Sequence, residues 1–263
     1  MKRNIVKLTG LIGILTLFLF PVITWAGEEE KPTASADVGA FSKYVWRGYE
    51  LSDDSVVIQP SASVGYKGFG LNLWGNLDTD VDGTLDDDSE FNEIDMTLSY
   101  DKSFGPVALG VGYIYYGLDG LDDAEEIYLS VGLDVLLSPT LTVYREIADL
   151  QGWYFSFGIS HSFSLPKDIT LDLAGSVGYY CSEDDGFVEL DRNLNPTNNR
   201  YSNFHDALIS MGLTIPLGKY FSVCPMVAYS FPLSDEADDL ITAGSFSNDS
   251  DFFYGGVTFS MSF

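Results

Sequence analysis

The fold is decided by the stretch Asn92-Glu-Ile-Asp-Met-Thr-Leu-Ser-Tyr100, in which polar and apolar residues alternate without a break. In an extended chain, Ile94, Met96, Leu98 and Tyr100 fall on one face and the polar residues on the other. The run of nine residues matches a tilted membrane-crossing strand of about 9–11 residues. Strands of soluble proteins are usually nearer about five or six residues.

The same period of two recurs along the chain after Ala36. Twelve stretches show it, at residues 37–48, 55–66, 69–78, 91–101, 106–116, 126–136, 140–147, 152–163, 169–181, 204–216, 219–231 and 251–263. An even number of strands suits a closed antiparallel barrel, and closure leaves no unpaired strand edge facing lipid. The sequence therefore predicts an all-β fold, a single antiparallel transmembrane β-barrel of about twelve strands, with about 10–14 compatible with the pattern.

The links between these stretches alternate in length. Links such as 67–68 and 217–218 are short, whereas 182–203 and 232–250 are long and carry several acidic residues. Membrane barrels have short periplasmic turns and longer outer loops. We therefore expect short periplasmic turns and longer acidic outer loops.

The N-terminus has the layout of an export signal. Basic residues occur at 2, 3 and 7, an apolar run follows from Leu11 to Phe20, and Thr24-Trp25-Ala26 supplies small residues before a cleavage point. The domain prediction is a cleaved signal peptide at 1–26, a short periplasmic N-terminal segment at 27–35, and the barrel at 36–263.

The C-terminal strand points to the outer membrane. Val257, Phe259, Met261 and Phe263 alternate with polar residues, and the last residue is aromatic. This end resembles the signal that the outer-membrane barrel assembly machinery recognises. The expected location is the bacterial outer membrane, and the expected partners are that machinery, outer-membrane lipid and lipopolysaccharide.

The charge balance excludes one class of partner. Loss of the leader would leave 10 of the 13 basic residues and all 39 acidic ones. Because a chain with so large an excess of acidic residues repels polyanions, we expect no nucleic acid as a partner.

The stretch Ser42-Lys-Tyr-Val-Trp-Arg-Gly48, followed by Gln59-Pro60 and Gly70-Leu-Asn-Leu-Trp-Gly-Asn76, carries a family resemblance. It resembles the N-terminal region of a proteobacterial family of exported proteins of unknown function, marked by Y-V-[FW]-R-G and a later W-G-[SN]. The resemblance covers about Ala36 to Asp80. It implies export and a β-rich fold, and it brings no activity with it.

Inward parity places eight charged side chains in the lumen. They are Lys43, Arg47, Glu93, Asp95, Glu126, Asp134, Asp172 and Asp206. Charges inside a membrane protein must pair or meet water. Two interpretations therefore remain open, a cation-leaning pore lining and an ion-paired plug of side chains that fills the barrel.

The sequence offers no convincing catalytic constellation. Of the two histidines, His161 falls near the periplasmic end, and His205 is predicted to face outward near the outer rim, where Cys181 is its one nucleophilic neighbour. The favoured function is a small porin-like channel for small solutes. A closed structural or surface-interaction barrel whose acidic loops bind divalent cations is the alternative. An outer-membrane lipid-modifying enzyme ranks third, and no catalytic residue is predicted.

An acidic stretch in the third link resembles half of a calcium loop. Asp78, Asp80, Asp82 and Asp86 place oxygen ligands around Gly83 as in the first half of an EF-hand, but Ser89 stands where the last ligand is needed. The favoured interpretation is a solvated acidic loop, and the alternative is a Ca²⁺ site formed by these four residues. No other cofactor is expected.

Calorimetry on the refolded barrel separates these two interpretations. If the loop binds Ca²⁺, the dissociation constant should be about millimolar or lower, and Asp80→Ala should weaken the binding. Binding that is absent, or that the substitution leaves unchanged, would show that the loop is merely acidic.

Overall fold

The computed structural model describes residues 31–79, 89–148 and 150–263. The predicted signal peptide at 1–26 lies outside the described residues, as do three of the four predicted calcium ligands, Asp80, Asp82 and Asp86. Within the described part of the chain, no helix is both long and apolar enough to cross a membrane.

Sixteen strands, one α-helix and one short 3₁₀ turn (Pro166–Asp168) form the described fold. The strands are β1 (Thr33–Phe41), β2 (Val45–Trp46), β3 (Tyr49–Glu50), β4 (Val57–Tyr66), β5 (Phe69–Asp78), β6 (Glu90–Phe104), β7 (Val107–Leu118), β8 (Ala124–Leu133), β9 (Thr140–Glu146), β10 (Gly152–Ser164), β11 (Thr170–Ser182), β12 (Val188–Leu190), β13 (Pro196–Arg200), β14 (Ser202–Pro216), β15 (Phe221–Pro232) and β16 (Phe252–Ser262). The helix is α1 (Asp235–Gly244).

Twelve of these strands close into one antiparallel barrel, in the order β1-β16-β15-β14-β11-β10-β9-β8-β7-β6-β5-β4. The first strand closes the ring because it pairs with β16 on one side and with β4 on the other. Every wall strand therefore has two hydrogen-bonded neighbours, as lipid requires. The predicted all-β, twelve-strand barrel is confirmed.

Side-chain exposure follows the predicted alternation. Outward residues such as Leu98, Leu129 and Ile209 are 47%, 55% and 58% exposed, whereas the inward Asp95 is fully buried. So large an apolar outer surface belongs in lipid rather than in water. The alternation thus orients the apolar side chains towards a membrane and the polar ones towards the lumen.

The barrel has two different ends. Short connections join β4–β5, β6–β7, β8–β9, β10–β11 and β14–β15 at one end, here called the turn end. The remaining connections lie at the opposite, loop end. Those between β7 and β8 and between β9 and β10 are also short, whereas the one between β11 and β14 contains β12 and β13 and the one between β15 and β16 contains α1. The small β2–β3 hairpin also belongs to the loop end.

Strand bounds agree with the sequence except near the N-terminus. The stretch 69–78 is reproduced as β5, but the predicted strand 37–48 is wrong beyond Phe41, where β1 ends. In the register of the wall, Phe41 pairs directly with Val57, so residues 42–56 form an insertion between two adjacent strands.

Helix α1 was not predicted from the sequence. Its N-cap is Ser234, whose hydroxyl oxygen accepts a hydrogen bond from the Ala237 N–H at 3.1 Å. Acidic residues in the first turn stabilise the helix, because their negative charge lies near the positive N-terminal end of the helix dipole. Ala237, Leu240 and Ile241, spaced along one helix face, are buried. Burial of this apolar stripe fixes α1 against the barrel interior.

Candidate functional site

Residues 42–56, here called the lumenal plug, enter the barrel as a tight hairpin. Val45 pairs with Glu50 and Trp46 with Tyr49, so Arg47 and Gly48 form a two-residue turn with positive φ angles of 42° and 87°. Such turns suit the twist of a hairpin and favour glycine. A Cβ at position 48 would lie 2.7 Å from Ile241 Cδ1, so glycine is also needed for contact with α1.

Arg47, at the tip of the plug, is held by an ion pair to the barrel wall. Its two terminal nitrogens donate to the two carboxylate oxygens of Glu126 on β8, both at 2.8 Å. The side chains are only 7% and 5% exposed. A two-pronged guanidinium–carboxylate contact of this kind is strong and directional, and it is here called the latch.

Aromatic rings enclose the latch guanidinium. Its Cζ atom lies 4.1 Å from the ring centre of Tyr154, 4.4 Å from that of Trp46 and 4.8 Å from that of Tyr144. The π faces of these rings stabilise a cation that has lost its water. The positive charge of the buried Arg47 guanidinium is therefore stabilised both by the Glu126 carboxylate and by the faces of the three rings.

Tyrosine hydroxyls extend the network around the latch. Tyr116 donates to Glu126 Oε2 at 2.8 Å, and Tyr154 donates to Asp206 Oδ1 at 2.8 Å. A Cβ at Gly178 would lie 2.2 Å from the Asp206 carboxylate and 2.3 Å from the Tyr154 hydroxyl. The absence of a side chain at Gly178 thus leaves space for the hydrogen bond between Tyr154 and Asp206.

The base of the plug has its own ion pairs. Lys43 Nζ donates to Glu50 and, at 2.8 Å, to Asp54 Oδ1. This hydrogen bond lowers the pKa of the exposed Asp54 carboxyl below its ordinary value. Glu50 is fully buried and accepts from the Ser247 N–H at 3.1 Å, which ties the plug to the segment after α1.

A hydrophobic cluster, here called the loop-end core, fills the lumen beside the plug. Its buried members come from the plug, α1, the β12–β13 region and the wall: Val45, Tyr49, Tyr154, Tyr180, Phe187, Leu190, Tyr201, Ala228, Ala237, Leu240, Ile241, Phe252 and Tyr254. Protein interiors pack in this way. The loop-end half of the barrel is therefore packed, in contrast to an open pore.

The lumen becomes accessible to solvent towards the turn end. A cavity of about 120 Å³ lies beneath the plug tip and is lined by Arg47, Tyr154, Asp206, Ser176 and Tyr254 among others. Nearer the turn end the inward positions carry small polar side chains that are partly exposed. They include Ser61, Ser63, Asn72, Ser99, Ser130, Ser160, Thr214 and Ser260. The barrel thus has a polar vestibule below a packed plug.

The predicted lumenal charges do not all lie where the sequence placed them. Lys43 and Arg47 lie on the plug and not on the first strand, which corrects their predicted placement. Glu126 and Asp206 lie near the loop ends of their strands and therefore reach the plug. Glu93 and Asp95 lie beside each other on β6, and neither forms an ion pair with Lys43 or Arg47.

The remaining two predicted residues lie elsewhere. Asp172 is near the turn end, where it accepts from Ser162 at 2.5 Å and from Thr214 at 2.9 Å. Asp134 follows the end of β8 and is exposed, so it lies outside the barrel wall in a turn.

The predicted outward position of His205 is wrong. Val177 of β11 pairs with Ala207 of β14, and Tyr179 pairs with Phe204. These pairs are two residues apart on β11 but three apart on β14, so β14 carries one extra residue here. This bulge turns both His205 and Asp206 inward. His205 is fully buried, and its Nδ1 lies 2.7 Å from the Tyr201 hydroxyl, whereas Cys181 keeps its outward parity.

The calcium prediction stays a prediction. Of its four ligands only Asp78 is described, and its carboxylate accepts a hydrogen bond from Ser55. No group of three or more His, Cys, Asp or Glu side chains suited to a metal occurs among residues 31–79, 89–148 and 150–263.

The aromatic half of the site was not predicted. Tyr116, Tyr144 and Tyr154 have inward parity, which by itself indicates only lumen lining. Trp46 has outward parity in the predicted first strand, and that placement is wrong because Trp46 lies on the plug, 4.4 Å from the Arg47 Cζ atom. The available signal was Arg47-Gly48, a dipeptide with glycine at the second turn position, preceded by Val45-Trp46 and followed by Tyr49.

Two solved structures have the same architecture. A structure described as KdgM porin superposes with a TM-score of 0.52 at 14% identity, covering 87% of this chain and 99% of that one. The NanC porin gives a TM-score of 0.53 at 11% identity, covering 87% and 98%. The barrel has a porin fold. At these identities the likeness concerns the porin fold alone.

The sequence also matches a family model described as "Bacterial protein of unknown function (Gcw_chp)" over residues 26–146. The matched part contains β1 to β9, and therefore the lumenal plug and both partners of the latch. It leaves β12, β13 and α1 outside. No curated protein matches the sequence.

Within the porin fold, the latch should contribute strongly to stability. Arg47→Met or Glu126→Gln alone leaves one charge buried without its partner, so each should lower the free energy of unfolding by about 3–5 kcal/mol. The double variant removes both charges and should lose less than either single variant. Urea unfolding followed by tryptophan fluorescence and by heat-modified gel mobility measures these differences.

Arg200→Met is the matched control, because Arg200 pairs with Asp185 at the exposed surface. Its cost should be less than about 1 kcal/mol. Latch variants that cost no more than this control, or single costs that simply add in the double variant, would contradict the assigned role of the latch.

Proposed function

We propose that this protein is a small porin-like channel of the bacterial outer membrane, with its turn end in the periplasm and a lumen that favours small cations. The observation that carries the proposal is the twelve-strand porin fold with a polar vestibule in its turn-end half. Short turns face the periplasm and longer loops face outward in such barrels.

The outer surface and the chain end support the location. The apolar belt gives the barrel an extended contact with lipid. The last strand, β16, closes the ring against β1 and ends one residue before the aromatic Phe263. We therefore propose outer-membrane lipid and lipopolysaccharide as surroundings, and the barrel assembly machinery as the partner that receives β16.

The lumenal charge supports a preference for cations. Inward carboxylates outnumber the inward bases Lys43 and Arg47, both of which already form ion pairs. The inward carboxylates include Asp37, Glu93, Asp95, Glu126, Asp172 and Asp206. A negative lining raises the local concentration of cations.

Passage requires the lumenal plug to move. The plug and the loop-end core fill the loop-end half of the lumen, so the packed arrangement is a closed state. Because residues 42–56 are inserted between paired strands, the β1–β4 pairing does not depend on them. In the described part of the chain, only their end residues hydrogen-bond to the barrel backbone, Ser42 to Gly255 and Val56 to Thr79. We infer a channel that opens when the latch is released.

The packed plug also favours a second candidate function. A barrel that never opens is a structural or surface-interaction protein, whose acidic loops bind divalent cations and bridge lipopolysaccharide. We propose no catalytic activity, since His205 is enclosed by tyrosines and the matched structures are porins.

Surface labelling tests the topology. Asn195 lies exposed in the turn between β12 and β13 at the loop end, and Lys167 lies exposed in the 3₁₀ turn at the turn end. An epitope inserted at Asn195 should bind antibody on intact cells, and one at Lys167 should bind only after the outer membrane is permeabilised. The reverse pattern would invert the proposed orientation, and a soluble periplasmic protein would contradict it altogether.

Planar-bilayer recording tests the channel. Phe41 and Val57 are paired, so Asn-Gly can replace residues 42–56 as a two-residue hairpin turn that keeps the register. The plug-less barrel should conduct in steps larger than those of the full mature chain, and its reversal potential in a salt gradient should show cation selectivity. Asp172→Asn, with the plug present, is the control for a change of lumenal charge alone.

Each outcome of this recording decides between the candidates. A plug-less barrel that is folded by heat-modified mobility but does not conduct contradicts the channel proposal. A full chain that stays silent at all voltages, with a conducting plug-less barrel, favours the closed structural barrel. Anion selectivity refutes the proposed lumenal preference.

A further inference from the structure

A pair of buried carboxyl groups in the barrel wall has no partner of opposite charge. Glu93 and Asp95 lie two residues apart on the inward face of β6 and are 4% and 0% exposed. Both carboxylate oxygens of Asp95 and Oε1 of Glu93 are fully buried, and no N–H or hydroxyl group of the described residues donates to them. The two carboxyl groups lie within hydrogen-bond reach of each other, so a proton held between them is the alternative to a bound cation. Buried polar atoms in this condition need a physical explanation.

Two neighbours of the pair, Asn76 and Tyr116, direct donors elsewhere. In the wall register, Glu93 lies opposite Asn76, and Asp95 lies opposite Trp74 on β5 and Tyr116 on β7. The Asn76 amide donates to Asn92 at 2.8 Å, and the Tyr116 hydroxyl donates to Glu126.

The plug contributes one group to this place. The Tyr44 hydroxyl forms a hydrogen bond with Glu93. Its ring lies 5.6 Å from that of Trp74. The carboxyl pair is therefore located where the plug meets the wall.

Among residues 31–79, 89–148 and 150–263, no base is placed to neutralise the pair. Of the 13 Lys and Arg residues of the sequence, three precede residue 31, and segment 80–88 contains none. Lys43, Arg47, Arg145 and Arg200 form ion pairs with other acids. The others lie before β1, near the turn end or in the β12–β13 turn: Lys31, Lys67, Lys102, Lys167, Arg192 and Lys219.

Two ionised carboxylates cannot stay buried side by side without compensation, because desolvation and mutual repulsion both oppose it. We propose that Glu93 and Asp95 bind one calcium ion between the barrel wall and the plug. Two carboxylates match the charge of one divalent ion, and hard oxygen donors are the ligands that calcium prefers. Water from the vestibule, which continues along Thr97 and Ser99 on the same face, completes its coordination.

Both proposed ligands belong to β6 and not to the acidic stretch at 80–88, and the proposal does not depend on conduction by the barrel. Its occupancy would fix the carboxylate that Tyr44 contacts. Calcium therefore should hold the plug against β6 in addition to the latch at Glu126.

Sensitised terbium luminescence on the refolded full mature chain tests the site. Tb³⁺ replaces Ca²⁺ at oxygen sites, and excitation of Trp74 and Tyr44 should transfer energy to an ion held beside them. We expect emission that Ca²⁺ displaces, with a dissociation constant on the order of 10⁻⁴ to 10⁻³ M, typical of weak protein calcium sites. Glu93→Gln with Asp95→Asn should abolish the emission.

Two controls exclude other acidic residues. Asp172→Asn removes a lumenal carboxylate that already has two hydroxyl donors and should leave the emission unchanged. Asp80→Asn with Asp82→Asn changes the acidic loop and should also leave it unchanged. If the double variant at the pair does not fold, as judged by heat-modified mobility, the single variant Asp95→Asn serves, with at least about a tenfold loss of affinity expected.

The opposite results overturn the proposal. Emission that persists in a folded Asp95→Asn variant, or that the loop variants remove, places the ion elsewhere. Absence of displaceable emission, with a melting temperature that responds to pH but not to Ca²⁺, shows that protons neutralise the pair.

Discussion

The demand that every backbone N–H and C=O find a partner within the protein governs this molecule. Lipid offers no hydrogen bonds, so the twelve wall strands close upon themselves, with β1 joined to both β16 and β4. Closure then divides the side chains by parity into an apolar belt and a polar interior. Whatever charge the chain carries inside the barrel must be compensated there, which is why the latch, its enclosing rings and the tyrosine hydroxyls occur together.

The plug shows how one insertion changes what a barrel can do. The wall from β1 to β4 is continuous without residues 42–56, yet these residues bring a guanidinium to Glu126 and apolar side chains to α1. The loop end is consequently packed like the core of a soluble domain, while the turn end keeps a partly exposed polar lining. A porin fold therefore carries two environments along one axis.

The barrel could be predicted from sequence because its signal is local. Alternation in single stretches such as 92–100, together with link lengths, determines strand number and facing without knowledge of distant contacts. The plug could not be predicted in this way. Its Arg47-Gly48 turn lies inside a stretch whose alternation mimics a strand, and its partner Glu126 is 79 residues away. The inward turn of His205 depends on a one-residue bulge, which no hydrophobic period reveals.

The attachment of the plug at both ends has a consequence for any solute that uses the lumen. Phe41 and Val57 hold the ends of residues 42–56 side by side, so the released plug stays within a few residues of its binding place. Its effective concentration there is on the order of millimolar or higher. A free solute must therefore compete with the tethered plug for the same place in the lumen. Dilution of the protein does not change this competition, because the plug and the barrel are one chain.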